Sequence, residues 1–550
     1  MKNYSLYNIT GQIRKKLFSS ESLLVRIFND PQPIPRKVPD YMRKKGGILY
    51  WTGALIMITF IYEIITGLVI LIYYEPSNPY VSTESFINSV PFGSLILTTH
   101  LYAAYAMIFL IYVHLLRNLF VGAYKKPREI QWITGIVLLV MTIGLSFFGY
   151  SMSGDALAAD AVGVGQTIAG GTPSIGTYVR TIFFGTGTSL TLFQSMLAWH
   201  IILAAGVGFL FAIHFFIAEF NTIMPSRKEA KYRAPALDTD PGTYKPWFPY
   251  NLMYMMQYLV IVFGAVILIP SLLAISPGIP PLFSPFPQAA AGAALPPGFP
   301  SYPPWFLLFV YKELDFTIVT NLTPFWSTVI FVGAPLLYLL LIPFIDRKPT
   351  LSMVDRPLTV ALAITGTIYL IGLSTWGALS PHIQEHTPEV LAFFIIPAAA
   401  AILLSYYTAG RVREGRMDVR TEIPLMVLLA MTGLTAFILG LSISTVMASV
   451  TGSSLAALVL MATAVAVEVS IAMGVIYGII PDGKPLEIPW IKKFPVSAVL
   501  GFGALGILIF ISFLPVGSVY NQSLYGIGLG IIFILAGLMI RVYRKEAYGE

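Results

Sequence analysis

The chain has 550 residues, of which 56% are hydrophobic and only 11% charged. Soluble domains carry roughly a quarter charged residues, so a chain this apolar, with recurring apolar runs of about twenty residues, reads as an integral membrane protein. Its net charge of +7 then reports topology rather than nucleic-acid binding. The lack of cysteine excludes disulfides, Cys-ligated zinc, Cys-held iron–sulfur clusters and c-type attachment.

A polar, basic segment with no cleavable signal peptide comes first. Twelve spans are then expected, at roughly 48–74, 93–120, 131–150, 190–218, 250–275, 305–345 (a re-entrant start, then one span), 358–378, 388–409, 424–448, 454–480, 495–515 and 522–541. Every even-numbered loop is basic, from Lys125, Lys126 and Arg128 in the second to "KPLEIPWIKK" in the tenth, and so are both termini; the odd-numbered loops share one basic residue, Arg180. The positive-inside rule therefore places both termini in the cytoplasm of a multi-pass plasma-membrane protein. Two outer loops are long: 151–189, rich in Gly, Ser, Thr and Ala, and 276–304, rich in Pro and free of charge. Such loops usually carry function. The expected organisation is an N-terminal segment (1–47), a four-helix bundle (48–220), a cytoplasmic loop (221–249), a second part (250–410) and a four-helix extension (421–550) without a polar motif of its own.

Four of the six histidines fall inside spans, where an ionisable side chain is costly and needs a reason. His100 and His114 lie fourteen apart in the second span, as do His200 and His214 in the fourth. Fourteen residues rise about 21 Å over about 3.9 turns, so each pair shares one helix face. Both spans run from outside to inside, which sets His100 level with His200 and His114 level with His214. Facing helices thus offer two imidazole pairs stacked across the bilayer, each an axial ligand set for a planar macrocycle. Separate bonds to backbone carbonyls would leave the matched spacing unexplained. Gly53 and Gly67 in the first span, and Gly135 and Gly149 in the third, repeat the fourteen-residue interval at the same depths. Missing side chains there would admit the edge of a haem.

The stretches "THLYAAYAMIFLIYVHLLRNLFVGAYKKPREIQWITGIVLLVMTIGLSFFGY", "AWHIILAAGVGFLFAIH", "KPWFPY", "PPWF" and "IPFIDRK…VDRPL" resemble cytochrome b, the membrane subunit of bc1/b6f-type quinol-oxidising complexes. The resemblance covers roughly 45–410. It implies that His100 and His200 hold an outer, lower-potential haem and His114 and His214 an inner, higher-potential one. Arg117 matches an arginine that pairs with an inner-haem propionate, or it anchors the helix end on the positive side. The lack of cysteine, the altered tetrapeptide and the added spans look more like archaeal respiratory members, whose two haems can be b-type or a modified a-type.

The chain also departs from the family. Where Pro-Glu-Trp-Tyr marks the outer quinol site, it has Pro303, Pro304, Trp305 and Phe306. Met152 to Asp155 stand in for a Leu-Pro-Trp-Gly sequence, Ser195 for an arginine near the outer haem, and Tyr254 and Met255 for the Lys-Asp pair of the inner quinone site. With the tetrapeptide Glu missing, outward candidates for the quinol proton are Asp155, Asp160, Glu313, Asp315, His382, Glu385 and His386. Glu313, expected to be reachable and semi-buried beside Trp305, ranks first. His382 and His386 are four apart and read better as a solvated helix start than as a metal pair.

The function expected is a two-haem subunit of a respiratory quinol-oxidising complex: electrons leave quinol, one crossing inward and one passing to a separate Rieske iron–sulfur protein, since this chain has no cysteine. Inward transfer runs against a negative-inside potential at about 2.3 kcal/mol per 100 mV for a full crossing, so the inner haem must have the higher potential. Alternatives are a haem-bearing scaffold beside terminal-oxidase subunits with one quinone site lost, and a twelve-helix secondary transporter. No half-repeat supports the transporter.

Overall fold

In hydrocarbon every backbone N–H and C=O must pair within its own segment, so long apolar stretches become helices. The computed structural model of the chain describes residues 38–43, 47–221, 224, 233–234, 244–245, 250–274, 287–290, 303–319, 322–380, 383–415, 496–515 and 518–548. Among the described residues the regular structure is helical apart from three isolated β-bridges and one antiparallel pairing of two-residue strands, β1 (Val38–Pro39) with β2 (Tyr244–Lys245).

Four long helices form the first half: α1 (Thr52–Tyr73), α3 (Gly93–Val121), α4 (Glu129–Ser151) and α7 (Ser189–Phe220). A short α2 (Pro79–Ser89) links the first two. Gly122, at φ +75°, ends α3 by returning its N–H to Asn118 O and Leu119 O, a conformation that glycine adopts without Cβ strain.

The segment 151–189 is a correction to the sequence reading, because two helices stand where a loop was expected. They are α5 (Ala156–Gly170) and α6 (Gly176–Phe184). The Asp155 side chain accepts the Ala158 N–H at 2.8 Å, a good N-cap, and an alanine-rich run follows it; small residues suited to turns are also compatible with helix.

The second half holds α8 (Leu252–Ala274), a short α9 (Leu308–Leu314), α10 (Pro324–Ile345, with a π turn at Val329–Gly333), α11 (Pro357–Leu379) and α12 (Thr387–Arg413). The re-entrant start before α10 is thus resolved as α9 flanked by two short 3-10 turns. A polar cluster ties the halves together at one end. Lys125 Nζ pairs with Asp346 Oδ1 at 2.8 Å, Tyr124 donates to Asp346 Oδ2 at 2.6 Å, and Arg356 donates to Tyr124 and to Phe120 O.

In the C-terminal extension, α13 (Val496–Ser512) and α14 (Val519–Tyr548) are described; the spans expected at 424–448 and 454–480 lie outside the described residues. Helix α14 lies along α8, and Gly264 and Gly530 let the two backbones approach: a Cβ on Gly264 would meet Gly530 O at 2.7 Å, the small-residue contact common between membrane helices. Arg544, a polar residue the sequence reading passed over, donates to Gln257 Oε1 at 2.9 Å and lies 4.7 Å over the Tyr254 ring. Among the described residues nine helices are long and apolar enough to cross a membrane.

Candidate functional site: two levels of histidine

Within the first half the closest pairings are α1 with α3 and α4 with α7. Each histidine-bearing helix therefore leans on a glycine-bearing one. His100 sits against Gly67 and His200 against Gly149; His114 sits against Gly53 and His214 against Gly135. Cβ atoms built on these glycines would meet the imidazole Cε1 at 3.2, 2.7, 3.8 and 3.2 Å respectively. At Gly67, Gly135 and Gly149 the missing side chain makes room for the imidazole itself, while Gly53 lies at ordinary contact distance from His114.

All four Nδ1 atoms are engaged by the bundle. Thr66 Oγ1 is 2.8 Å from His100, Thr52 Oγ1 2.8 Å from His114, Thr134 Oγ1 2.9 Å from His214, and Leu145 O 3.0 Å from His200. Each threonine hydroxyl already donates to a carbonyl one turn back (Tyr62 O, Leu49 O and Gln131 O). It can then only accept from imidazole, which puts the proton on Nδ1 and leaves a lone pair on Nε2. Acceptors that take the far-side N–H of the ring in this way fix the tautomer and orientation of metal-binding histidines. Asn118 Nδ2 donates to His114 Nε2 at 3.0 Å, consistent with that tautomer, and Arg117 donates to Asn118 Oδ1 at 2.8 Å while lying 4.3 Å over the Tyr50 ring.

The His100 and His200 ring centroids are 6.5 Å apart. Two metal–imidazole bonds of about 2 Å each, plus the distance from each Nε2 to its ring centre, fill this interval. At this level the donor set, its tautomers and its spacing fit a bis-imidazole metal. His100 has a further partner that the sequence reading missed: Glu63 Oε2 is 2.9 Å from Nδ1.

The "PPWF" segment packs near the same helices. Phe306 is buried with Ile108 and Leu307, flanked by Tyr105, Tyr112 and Tyr311. Trp305 is 36% exposed and meets Tyr112 edge-on at 6.3 Å. The buried hydroxyls of Tyr112, Tyr150 and Tyr311 have no hydrogen-bond partner among the described residues, another polar feature the sequence reading did not single out.

Glu313 is not semi-buried but fully buried, because α9 turns it inward against α10. Burial pushes its carboxyl up to about 9, opposed by the Thr328 hydroxyl. A carboxyl that keeps its proton at neutral pH is a poor acceptor for another. The folded protein also holds this proton more tightly than the unfolded chain does. Its stabilising contribution is therefore complete below the ordinary value of 4.5 and lost as pH rises through about 9. Glu313→Gln should remove that loss: its unfolding temperature relative to wild type is expected to climb from about pH 5 to about pH 9, and a difference independent of pH would refute the assignment.

Two other acidic candidates, Asp155 and Glu385, have structural work. Asp155 caps α5. Glu385 Oε1 meets Lys312 Nζ at 2.6 Å with both side chains at 0% exposure, and the same ammonium donates to Ser380 O, Ser380 Oγ and Ile383 O. This pair pins the α11–α12 connection onto α9. Removing one partner of a buried pair costs about 3–5 kcal/mol, so Lys312→Met should lower the unfolding temperature sharply, and adding Glu385→Leu should restore most of it. Equal loss in both variants would contradict the pairing argument. His386 is exposed at the start of α12, and His382 lies outside the described residues. Tyr254 and Met255 are buried with Met42, Trp51, Leu55 and Leu259.

A membrane bundle offering stacked, tautomer-fixed imidazole pairs presents a donor set suited to haem. Known proteins agree. The family described as cytochrome b(N-terminal)/b6/petB matches residues 105–285. A cytochrome b of Sulfolobus acidocaldarius is 33% identical, over 97% of this chain and 99% of its own length. The menaquinol:cytochrome c reductase cytochrome b subunit of Bacillus subtilis is 34% identical over 27% of this chain and 69% of its own. A solved structure titled hyperthermophilic respiratory Complex III shares the fold, with a TM-score of 0.52 and 24% identity over 73% of this chain and 97% of that one. The chain belongs to the cytochrome b family, a family of membrane proteins with haem b cofactors.

Proposed function

We propose that this chain is the dihaem subunit of a respiratory quinol-oxidising complex, with His100 and His200 holding one haem and His114 and His214 the other. The observation that carries the reading is the 6.5 Å interval between two imidazoles whose Nδ1 atoms are both committed elsewhere. Bound haem supplies one-electron redox chemistry. The chain's own groups do the rest. Thr52, Thr66, Thr134 and the Leu145 carbonyl hold the rings in orientation, and Gly67, Gly135 and Gly149 let the helices close on them. Arg117 places a positive charge at the His114 level. Trp305 offers an aromatic face to a quinol ring, while Tyr112, Tyr150 and Tyr311 offer hydroxyls nearby.

The Bacillus relative's name supports a quinol as reductant and other subunits as partners. A Rieske protein would have to be a separate polypeptide, because this chain has no cysteine. Basic residues gathered where Lys125 and Arg356 tie the halves together support termini on the cytoplasmic side of the plasma membrane. The burial of Tyr254 and Met255, with Arg544 over Tyr254, favours loss of the inner quinone site, and so keeps the scaffold reading beside terminal-oxidase subunits as the second one.

The test is anaerobic addition of a quinol to the complex purified with this chain. Haem reduction blocked by an outer-site quinone analogue supports catalysis. Reduction that ignores the analogue supports the scaffold and overturns the proposal.

A further inference from the structure

Among the described residues, three of the four imidazoles inside spans give their Nδ1–H to neutral acceptors alone, two to threonine hydroxyls and one to a carbonyl. His100 differs. Its Nδ1 lies between Thr66 Oγ1 at 2.8 Å and the Glu63 carboxylate at 2.9 Å. Glu63 is the only acidic residue of α1; it is 9% exposed, and its second oxygen, Oε1, has no hydrogen-bond partner among the described residues. A carboxylate inside a membrane span is costly. Glutamine would satisfy the same N–H without that cost, and Thr66 already provides a neutral acceptor. The hydrogen bond by itself therefore does not account for an acid here; the charge does.

We propose that Glu63 is a positioning residue that sets the potential of the His100/His200 level. By accepting the Nδ1–H it gives the imidazole anionic character and makes Nε2 a stronger donor, which favours the oxidised metal at this level. Arg117 acts in the opposite sense at the His114 level. Together they grade the two levels in the direction that inward electron transfer needs. The inference rests on the haem assignment made under Proposed function.

The test is a redox titration of Glu63→Gln in the whole complex, read from the absorbance of the two haem components. The component that disappears in His200→Ala identifies the His100/His200 level. Its equilibrium should shift at least tenfold toward the reduced form, 59 mV for one electron, while the other component stays within twofold. Thr66→Val, which removes only the neutral acceptor, should move it less than threefold. A shift under twofold in Glu63→Gln, or an equal shift in Thr66→Val, overturns the proposal.

If Glu63→Gln fails to assemble, the wild-type complex decides. The ferric near-infrared charge-transfer band from the His100/His200 level should lie at shorter wavelength than its counterpart, as for an imidazolate-like ligand, and coincident bands overturn the proposal. A wild-type chain with fewer than two haems overturns the haem assignment instead, so the two failures remain distinct.

Discussion

In the His200→Ala protein, bound haem is expected to fall from about two per chain to about one, with the other level's absorbance unchanged. The ring it loses is the one opposite His100 at 6.5 Å, and the Leu145 carbonyl that orients it belongs to a helix that stays in place. His100→Ala should cost the same haem and more stability. It leaves Glu63 in a span without its hydrogen-bond donor, and a buried polar group left unsatisfied costs about 1–3 kcal/mol. Glu63→Gln should relieve much of that cost in the double variant. Haem content and thermal unfolding of the three proteins check this, and equal unfolding temperatures for His100→Ala and His200→Ala would contradict it.

The glycines give the second large effect, and it is graded. An alanine at Gly149 would place its Cβ 2.7 Å from His200 Cε1 and 3.1 Å from Nδ1, closer than real atoms approach. The imidazole or the helix must shift, and overpacking of this kind costs about 1–3 kcal/mol. Because that ring must hold its angle, the expected result is loss of most haem from the His100/His200 level. Gly67→Ala and Gly135→Ala, at 3.2 Å, should lose less. Gly53→Ala meets His114 Cε1 at an ordinary 3.8 Å and should keep full haem content. Haem per chain across the four variants tests the order, and equal tolerance at Gly149 and Gly53 would refute the steric account.

The histidines and glycines were legible in sequence because helical geometry turns a fourteen-residue interval into a shared face, and because histidine is rare in apolar spans. The depth at which each glycine meets its histidine follows from the same arithmetic. What helical spacing does not report is the hydrogen-bonding shell. Thr52-Gly53, Thr66-Gly67 and Thr134-Gly135 are a repeated dipeptide, each threonine reaching the imidazole that its glycine admits, and that repeat was available as a signal. Gly149 follows Phe148 instead, and there the Leu145 carbonyl takes over. Glu63 was equally open to reading, since the rule that flags a buried histidine flags a buried carboxylate too.

Glu313 shows the opposite limit. Its distance along the chain from Trp305 suggested access, but which way α9 turns depends on the Lys312–Glu385 pair, a contact between residues 73 positions apart. The helices at 156–170 and 176–184 were hidden for a local reason, as Gly, Ser and Thr suit turns and the capping role of Asp155 shows only once the chain is folded. The closeness of α14 to α8 depends on glycines in distant spans, Gly264 and Gly530, which nothing in either span alone connects.

The central claim is that two imidazole pairs hold two haems. The direct measurement is haem per chain by pyridine haemochrome, taken with the low-spin ferric resonance spectrum of the purified complex. The account predicts about two haems per chain and two bis-imidazole low-spin signals, one lost in His200→Ala and the other in His214→Ala. A single haem, or a signal that survives loss of either histidine of its pair, would contradict it.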